Sequence, residues 1–146
     1  MRVLFLDIDG VLNRTHYQPA ETVGLRSWIE PELAGRLSDV LQRTSAVIVM
    51  SSDWRHHRTK EELIDELHAA GVIGILRDVT PALPGRPRWS EIQAWLDDND
   101  VPTDKIVIVD DAFDMGPLHA RFVRTSPLTG LDATAAHTIA QLFGLA

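Results

Sequence analysis

The segment VLFLDIDG, residues 3–10, decides the fold. Its first four residues are all apolar, and the acids Asp7 and Asp9 follow them, which predicts a short buried strand. Strands that are apolar throughout are typical of parallel sheets covered by helices on both faces. The segment therefore predicts an α/β protein with two acids at the carboxyl end of a buried strand.

Strands and helices are predicted to alternate along the rest of the chain. The other strands are short apolar stretches, predicted at residues 46–50, 72–76, 106–109 and 121–124. The helices have an apolar face at helical spacing and are predicted from Pro31, from Thr59 to Gly71, from Arg88 to Leu96 and from Asp132 to Phe143. This alternation predicts a three-layer α/β/α sandwich with a mostly parallel, Rossmann-like sheet, formed by residues 1–146 as one domain.

The composition excludes several classes of function. The chain has 146 residues, of which 45% are hydrophobic, a formal net charge of −7 and no cysteine. Without a thiol there is no disulfide framework, no thiolate zinc site and no cysteine nucleophile. The acidic balance disfavours nonspecific nucleic-acid binding, which depends on a basic surface. The apolar runs are too short to cross a membrane, so a cytoplasmic protein is expected.

Acids and hydroxyl groups follow three of the predicted strands. The first strand leads to Asp7 and Asp9, the second to Ser51 and the last strongly apolar one to Asp110. Because the carboxyl ends of parallel strands meet at one edge of the sheet, these side chains are expected to lie together. Crowded carboxylates repel one another, so a cation is expected among them. Oxygen ligands alone favour a hard cation such as Mg²⁺, bound together with a phosphate of the substrate.

These stretches also carry a family resemblance. Three motifs resemble those of the haloacid dehalogenase (HAD) superfamily of phosphohydrolases: DIDGV at residues 7–11, VIVMS at 47–51 and IVIVDD at 106–111. Three further phrases resemble a small HAD subgroup, some of whose relatives are fused to RNA-repair enzymes; they lie at residues 52–55, 91–96 and 129–131. The resemblance implies a HAD-like fold and covers most of the chain.

The cation of the remaining HAD motif is the loosest match. Arg88 is the first choice because it stands at a predicted helix start, three residues before Glu91. Arg86 is the alternative, and Lys105 is a more distant one. An arginine at this position would hold a phosphate through a planar fork of donors, where a lysine would act as a point charge.

The resemblance implies a two-step phosphoryl transfer. Asp7 would attack phosphorus and form an aspartyl-phosphate, and Asp9 would act first as general acid and then as general base. Ser51 and Arg88 would stabilise the phosphoryl oxygens. Further substrate-binding positions are Gly10, Ser52, Arg55 and Arg86, and the predicted Mg²⁺ ligands are Asp7, the main-chain carbonyl of Asp9, Asp110, and Asp111 or Asp114.

The substrate class stays open at this point. The predicted elements fill the segments between the motifs, so an open site without a full cap domain is expected. Such a site suits a phosphorylated small molecule or a macromolecular phosphate. The RNA-repair relatives favour a polynucleotide end, whereas the net charge of −7 disfavours nucleic acid. A phosphate-sensing or partner-binding module on the same fold is the non-catalytic alternative, and the sequence does not determine an oligomeric state.

Overall fold

A five-stranded parallel sheet between two layers of helices forms the fold in the computed structural model, which describes residues 1–145. The strands are β1 (Val3–Leu6), β2 (Val47–Met50), β3 (Leu76–Val79), β4 (Ile106–Asp110) and β5 (Phe122–Arg124). The helices are α1 (Pro31–Thr44), α2 (Lys60–Ala69), α3 (Arg88–Asn99) and α4 (Ala133–Leu142). The order in the sheet is β3-β2-β1-β4-β5, and all four pairings are parallel. The predicted α/β sandwich is confirmed.

The strand order reverses between β1 and β4. From β1 the chain moves outward through β2 and β3, and it then returns to β4 on the other side of β1. A crevice forms at the carboxyl ends of the strands where such a reversal occurs. The pairing sets Leu6 opposite Val109, and the amide of Asp7 donates to the Val109 carbonyl at 3.1 Å. The residues that follow β1 therefore face the end of β4 across this crevice.

The two faces of the sheet are covered unequally. Helices α1, α2 and α4 pack on one face, whereas α3 packs on the other through Ile92, Trp95 and Leu96. The rings of Trp95 and Phe5 meet edge to face, with centroids 5.5 Å apart. Crossovers between parallel strands are right-handed, so the return from β3 to β4 runs over the opposite face from the earlier connections. This path brings the first residue of α3 to the carboxyl edge of the sheet.

The predicted position of the third strand is wrong. Residues 72–76 were expected to form it, but the strand begins only at Leu76. Val72 is buried, whereas Ile73 is 76% exposed and Ile75 is 66% exposed. These isoleucines therefore belong to the connection after α2, and a short apolar run did not mark a strand here. The true strand lies at the edge of the sheet and has the mixed sequence LRDV, which carries a weak signal.

The other predicted elements are confirmed with small shifts in their ends. The capping box at the start of α2 is formed, since the Thr59 hydroxyl accepts from the Glu62 amide and the Glu62 carboxylate accepts from the Thr59 amide. Residues 7–30 contain a short 3-10 helix, Leu25–Trp28, and the described part of the chain has no full cap domain. No helix within it is long and apolar enough to cross a membrane.

Candidate active site

Three carboxylates come together at the carboxyl ends of β1 and β4. One oxygen from each of Asp7, Asp110 and Asp111 lies within 4.8 Å of the other two. Asp7 is 7% exposed and Asp110 is 1% exposed, whereas Asp111 is half-buried. The parallel pairing that aligns Leu6 with Val109 also sets Asp7 beside Asp110, so this acid cluster is a direct consequence of the strand register.

The acid cluster is short of positive charge. Burial first, and the charge of Asp110 second, raise the pKa of Asp7 from its ordinary value of 3.8 to about 8, although Arg88 opposes both effects. Burial also raises the pKa of Asp110, again against the effect of Arg88. Oδ2 of Asp110 is buried and accepts no hydrogen bond within residues 1–145. An additional cation at this point would compensate the buried charges and could bind this oxygen.

A hard divalent cation fits the acid cluster. Its ligands are all carboxylate oxygens, and Mg²⁺ prefers a few such oxygens together with phosphate. Of the two predicted alternatives, Asp111 joins the cluster and Asp114 does not. Oδ1 of the exposed Asp114 accepts from the amide of Gly116 at 2.8 Å and thereby caps a turn. The main-chain carbonyl of Asp9 stays a predicted ligand.

Arg88 is the cation that touches the acid cluster. Its Nη1 lies 3.5 Å from Oδ1 of Asp7, and its Nε lies 3.5 Å from Oδ2 of Asp110. Nη2 lies 3.5 Å from Asp53, and Nη1 also donates to the main-chain carbonyl of Ser51. Arg88 is the first residue of α3, which reaches the carboxyl edge of the sheet because of the crossover described above. The first choice for the third-motif cation thus lies at the acids.

The two alternatives to Arg88 lie elsewhere. Arg86 is exposed, and it lines a cavity of about 370 Å³ together with Arg88 and His56. Its guanidinium forms no ion pair with any residue in the range 1–145, so it is available to an anionic ligand. Lys105 directly precedes β4 and therefore lies at the amino edge of the sheet, opposite the acid cluster.

Two serines follow β2 and have different environments. The hydroxyl of Ser51 is buried and has no hydrogen-bond partner among the described residues. A buried hydroxyl without a partner is costly, and it is suited to donating to a ligand oxygen. The hydroxyl of Ser52 accepts from the Trp54 amide at 3.2 Å and begins the 3-10 helix Asp53–Arg55. The Ser52 hydroxyl is therefore already used to cap this 3-10 helix, and its predicted contact with substrate would compete with that hydrogen bond.

Arg55 has a structural environment. Its side chain is 3% exposed, and Nη2 donates to Oε2 of Glu91 at 2.9 Å. Its other donors face four main-chain carbonyl oxygens, those of Ser51, Ser52, Thr80 and Pro81. The predicted substrate contact does not fit Arg55, because protein oxygens already occupy its donors. The Arg55–Glu91 pair instead joins the segment after β2 to the helix that carries Arg88.

Asp9 is exposed, but both of its carboxylate oxygens are held. Asn13 Nδ2 donates to Oδ1 at 2.9 Å, and Trp54 Nε1 donates to Oδ2 at 3.1 Å. Asn13 also accepts from the Gly10 amide, and the Thr125 hydroxyl donates to the Gly10 carbonyl. The sequence analysis gave no role to Asn13 or Thr125. Thr125 follows β5 at the same sheet edge, so the rule used for the other strands would have found it.

Gly10 leaves room for one of the acids. Its φ is 81°, in the left-handed region that favours glycine. A Cβ at this position would lie 2.2 Å from Oδ2 of Asp111. A glycine is therefore required both by the turn and by the close approach of Asp111, while the predicted contact between Gly10 and a phosphate stays a prediction.

The fold and this site together define a HAD-like domain. Paired acids lie where the strand order reverses, and a cation from the helix on the opposite face of the sheet reaches them. The chain belongs to the family described as "HAD domain in Swiss Army Knife RNA repair proteins", whose model matches residues 3–136. The family resemblance noted in the sequence is confirmed.

A solved structure supports the same fold. The chain is similar to an uncharacterized protein from Corynebacterium glutamicum ATCC 13032 Kitasato, whose crystal structure was determined at 1.44 Å resolution. The two share 25% sequence identity with a TM-score of 0.57, over 100% of this chain and 97% of that chain. No curated protein matches the sequence.

Removing the carboxylate of the Arg55–Glu91 pair is expected to destabilise the fold. Glu91→Ala removes the buried, hydrogen-bonded counter-charge of Arg55 and leaves only the exposed Asp53, 3.8 Å from Nη1, which costs about 3 kcal/mol of the free energy of unfolding. Denaturation in urea measures this loss. The matched control is Glu61→Ala on the exposed face of α2, which is expected to change stability by less than about 0.5 kcal/mol. Equal stability of the two variants would contradict the role given to the pair.

The stability of the metal-free protein is expected to fall as the pH rises from about 4 to about 8. The pKa of Asp7 is about 8 in the folded protein and 3.8 ordinarily, so over this range the folded state keeps a proton that the unfolded state has lost. The stabilising contribution is complete below pH 4 and disappears as the pH passes 8. Asp7→Asn removes this pH-dependent contribution. The difference in Tm between wild type and variant, measured by thermal denaturation with EDTA at each pH, therefore gives the effect of the Asp7 carboxyl group.

Added Mg²⁺ is expected to reverse that trend. Metal and protons compete for the carboxylates, so the rise in Tm on adding Mg²⁺ grows between pH 5 and pH 8. Asp110→Asn is expected to reduce the rise, because it removes a charged ligand from the acid cluster. Asp98→Asn, an exposed position near the end of α3, is the control and should respond like the wild type. A rise of the same size in Asp110→Asn would rule out this metal site.

Proposed function

We propose that the chain is a Mg²⁺-dependent phosphomonoester phosphatase that acts through an aspartyl-phosphate on Asp7. One observation carries the proposal: the buried carboxylate of Asp7 shares a cluster with Asp110 and Asp111 and lies 3.5 Å from Arg88. Membership of the HAD family supports a phosphohydrolase or a related role in RNA repair. A cytoplasmic location stays a prediction.

The proposed reaction has two steps, and Asp7 and Asp9 act in both. In the first, a carboxylate oxygen of Asp7 attacks phosphorus, the bond from phosphorus to the leaving oxygen breaks, and Asp9 gives that oxygen its proton. In the second, Asp9 takes a proton from a water molecule whose oxygen attacks phosphorus. The bond to Asp7 then breaks, inorganic phosphate leaves and both carboxyl groups return to their starting states.

The charge of the phosphoryl group is compensated from several sides. Arg88 donates to its oxygens with a planar fork, and the unpartnered hydroxyl of Ser51 donates to another oxygen. Asp7, Asp110 and Asp111 would hold Mg²⁺, which when bound would supply the positive charge that keeps Asp7 ionised at neutral pH and stabilises the transferred group. Without that charge, burial favours the protonated and unreactive form of Asp7.

A cavity of about 310 Å³ beside Asp9 suits the leaving group. It opens onto both Asp9 and Asp111, and Tyr17 and Trp28 contribute to its wall. The cation in the wall, Arg14, is already paired with Glu30 and Glu32. The cavity therefore has no free positive charge and favours an uncharged leaving alcohol over one that carries a second phosphate.

A polynucleotide end is the second candidate substrate. The family description names RNA repair proteins, and the described part of the chain has no cap domain that would exclude a polymer. The exposed Arg86 stands beside the other cavity, with His56, where the next phosphate of a strand would find a cation. The net charge of −7 limits such binding to this local patch.

Loss of the nucleophile is expected to abolish turnover. Asp7→Asn should lower phosphate release from p-nitrophenyl phosphate with Mg²⁺ by at least about 10³-fold, because the amide cannot form the covalent intermediate. Asp98→Asn makes the same chemical change about 15 Å along α3 from Arg88 and should keep wild-type activity. Unchanged turnover in Asp7→Asn would remove Asp7 as nucleophile. Phosphate binding by the wild type without any turnover would favour the sensing module.

A panel of substrates distinguishes the two substrate classes. It comprises small alkyl phosphates, nucleoside monophosphates and oligonucleotides phosphorylated at the 5′ or 3′ end. If polynucleotide ends are the substrate, kcat/KM is highest for one oligonucleotide class, and Arg86→Ala lowers it about three- to tenfold more than it lowers kcat/KM for an alkyl phosphate. That difference should shrink as salt is raised. Equal losses for both substrates would favour a small phosphorylated molecule.

A further inference from the structure

The carboxylate of Asp9 is fixed by two side chains from different parts of the chain. Asn13 lies on the same loop and donates to Oδ1 at 2.9 Å, whereas Trp54 comes from the segment after β2 and donates through its indole nitrogen to Oδ2 at 3.1 Å. Asp9 is exposed, so burial does not determine where its carboxylate points. These two hydrogen bonds determine its direction instead.

The indole of Trp54 is itself held in place. Its main-chain amide donates to the hydroxyl of Ser52, and its ring packs against the hydrophobic core. The guanidinium carbon of Arg58 lies 4.8 Å from the centroid of the ring, and Arg58 also donates to the Trp54 carbonyl at 3.1 Å. An N–H group on a ring held from three sides is a rigid donor, unlike a long flexible side chain.

We propose that Trp54 is a positioning residue for Asp9, which it aims at the oxygen that leaves the phosphorus. The proposal rests on the proposed phosphatase function and deepens it. A general acid must lie within hydrogen-bond reach of the atom that it protonates, and a misplacement of about 1 Å costs up to 10²-fold in rate. An exposed carboxylate two residues beyond the buried nucleophile meets that requirement only with an external support such as the Trp54 indole.

This role predicts a dependence on the leaving group. A p-nitrophenolate departs as a stable anion and needs little help from an acid, whereas an alkoxide must be protonated as it leaves. Loss of the Trp54 donor should therefore slow alkyl phosphates more than p-nitrophenyl phosphate. The effect appears in kcat/KM, which covers only the steps up to phosphoryl transfer to Asp7 and excludes the later hydrolysis.

Trp54→Phe is the test variant, because it removes the indole N–H and keeps a ring for the core and for Arg58. We expect kcat/KM for glycerol phosphate to fall about tenfold or more and kcat/KM for p-nitrophenyl phosphate to change less than about threefold. Trp95→Phe is the matched control, since it also breaks an indole bond to a carboxylate, that of Asp78 at 2.8 Å, but beneath the sheet and away from the acids. It should leave the ratio of the two substrates unchanged.

A double-mutant cycle separates positioning from general damage. If Trp54 acts through Asp9, then adding Trp54→Phe to Asp9→Asn should cause less than about a twofold further loss with glycerol phosphate. Full additivity, or equal losses with both substrates in Trp54→Phe alone, would overturn the role of Trp54 and leave the phosphatase function standing. Absence of turnover by the wild type with every substrate would overturn the proposed function and, with it, this inference.

Discussion

The burial of two like charges at the ends of neighbouring strands is the constraint on which the site depends. Asp7 and Asp110 lie side by side because β1 and β4 pair in register, and both lie almost completely out of water. Burial is the main cause that raises the pKa of each carboxyl group, and the charge of Asp110 raises the pKa of Asp7 as well. Such a pair persists only where the surrounding fold is stable and where positive charge is close.

The fold brings positive charge to the acids from the opposite layer of helices. The reversal of strand order sends α3 over the face that the other helices leave uncovered, and Arg88 at its start reaches both acids. The Arg55–Glu91 pair holds the start of this helix to the segment that follows β2. A buried ion pair away from the reacting atoms thus supports the geometry of the charged groups that touch them.

The residues at the ends of the apolar strands could be predicted from the sequence, whereas features that depend on tertiary packing could not. Asp7, Ser51 and Asp110 were found because each follows an apolar strand and parallel strands end at one edge. The third strand was misplaced, because an edge strand has no uniform apolar pattern while Ile73 and Ile75 nearby are apolar and exposed. The buried place of Arg55 was also missed, since its partners are main-chain carbonyls and a distant glutamate, which leave no local signature.

The two acids of the first motif differ in what holds them, and this difference suits the different tasks that we propose for them. Asp7 is fixed by burial, which keeps water from its oxygens and raises its pKa until a cation compensates the charge. Asp9 is exposed to solvent, and hydrogen bonds from Asn13 and Trp54 give it the direction that burial gives Asp7. In the proposed reaction, exclusion of bulk water favours attack by the nucleophile, whereas the group that acts as both acid and base needs access to solvent. Both acids follow Leu6, the last residue of β1, at the carboxyl edge of the sheet, but Asp7 is buried there whereas Asp9 is exposed.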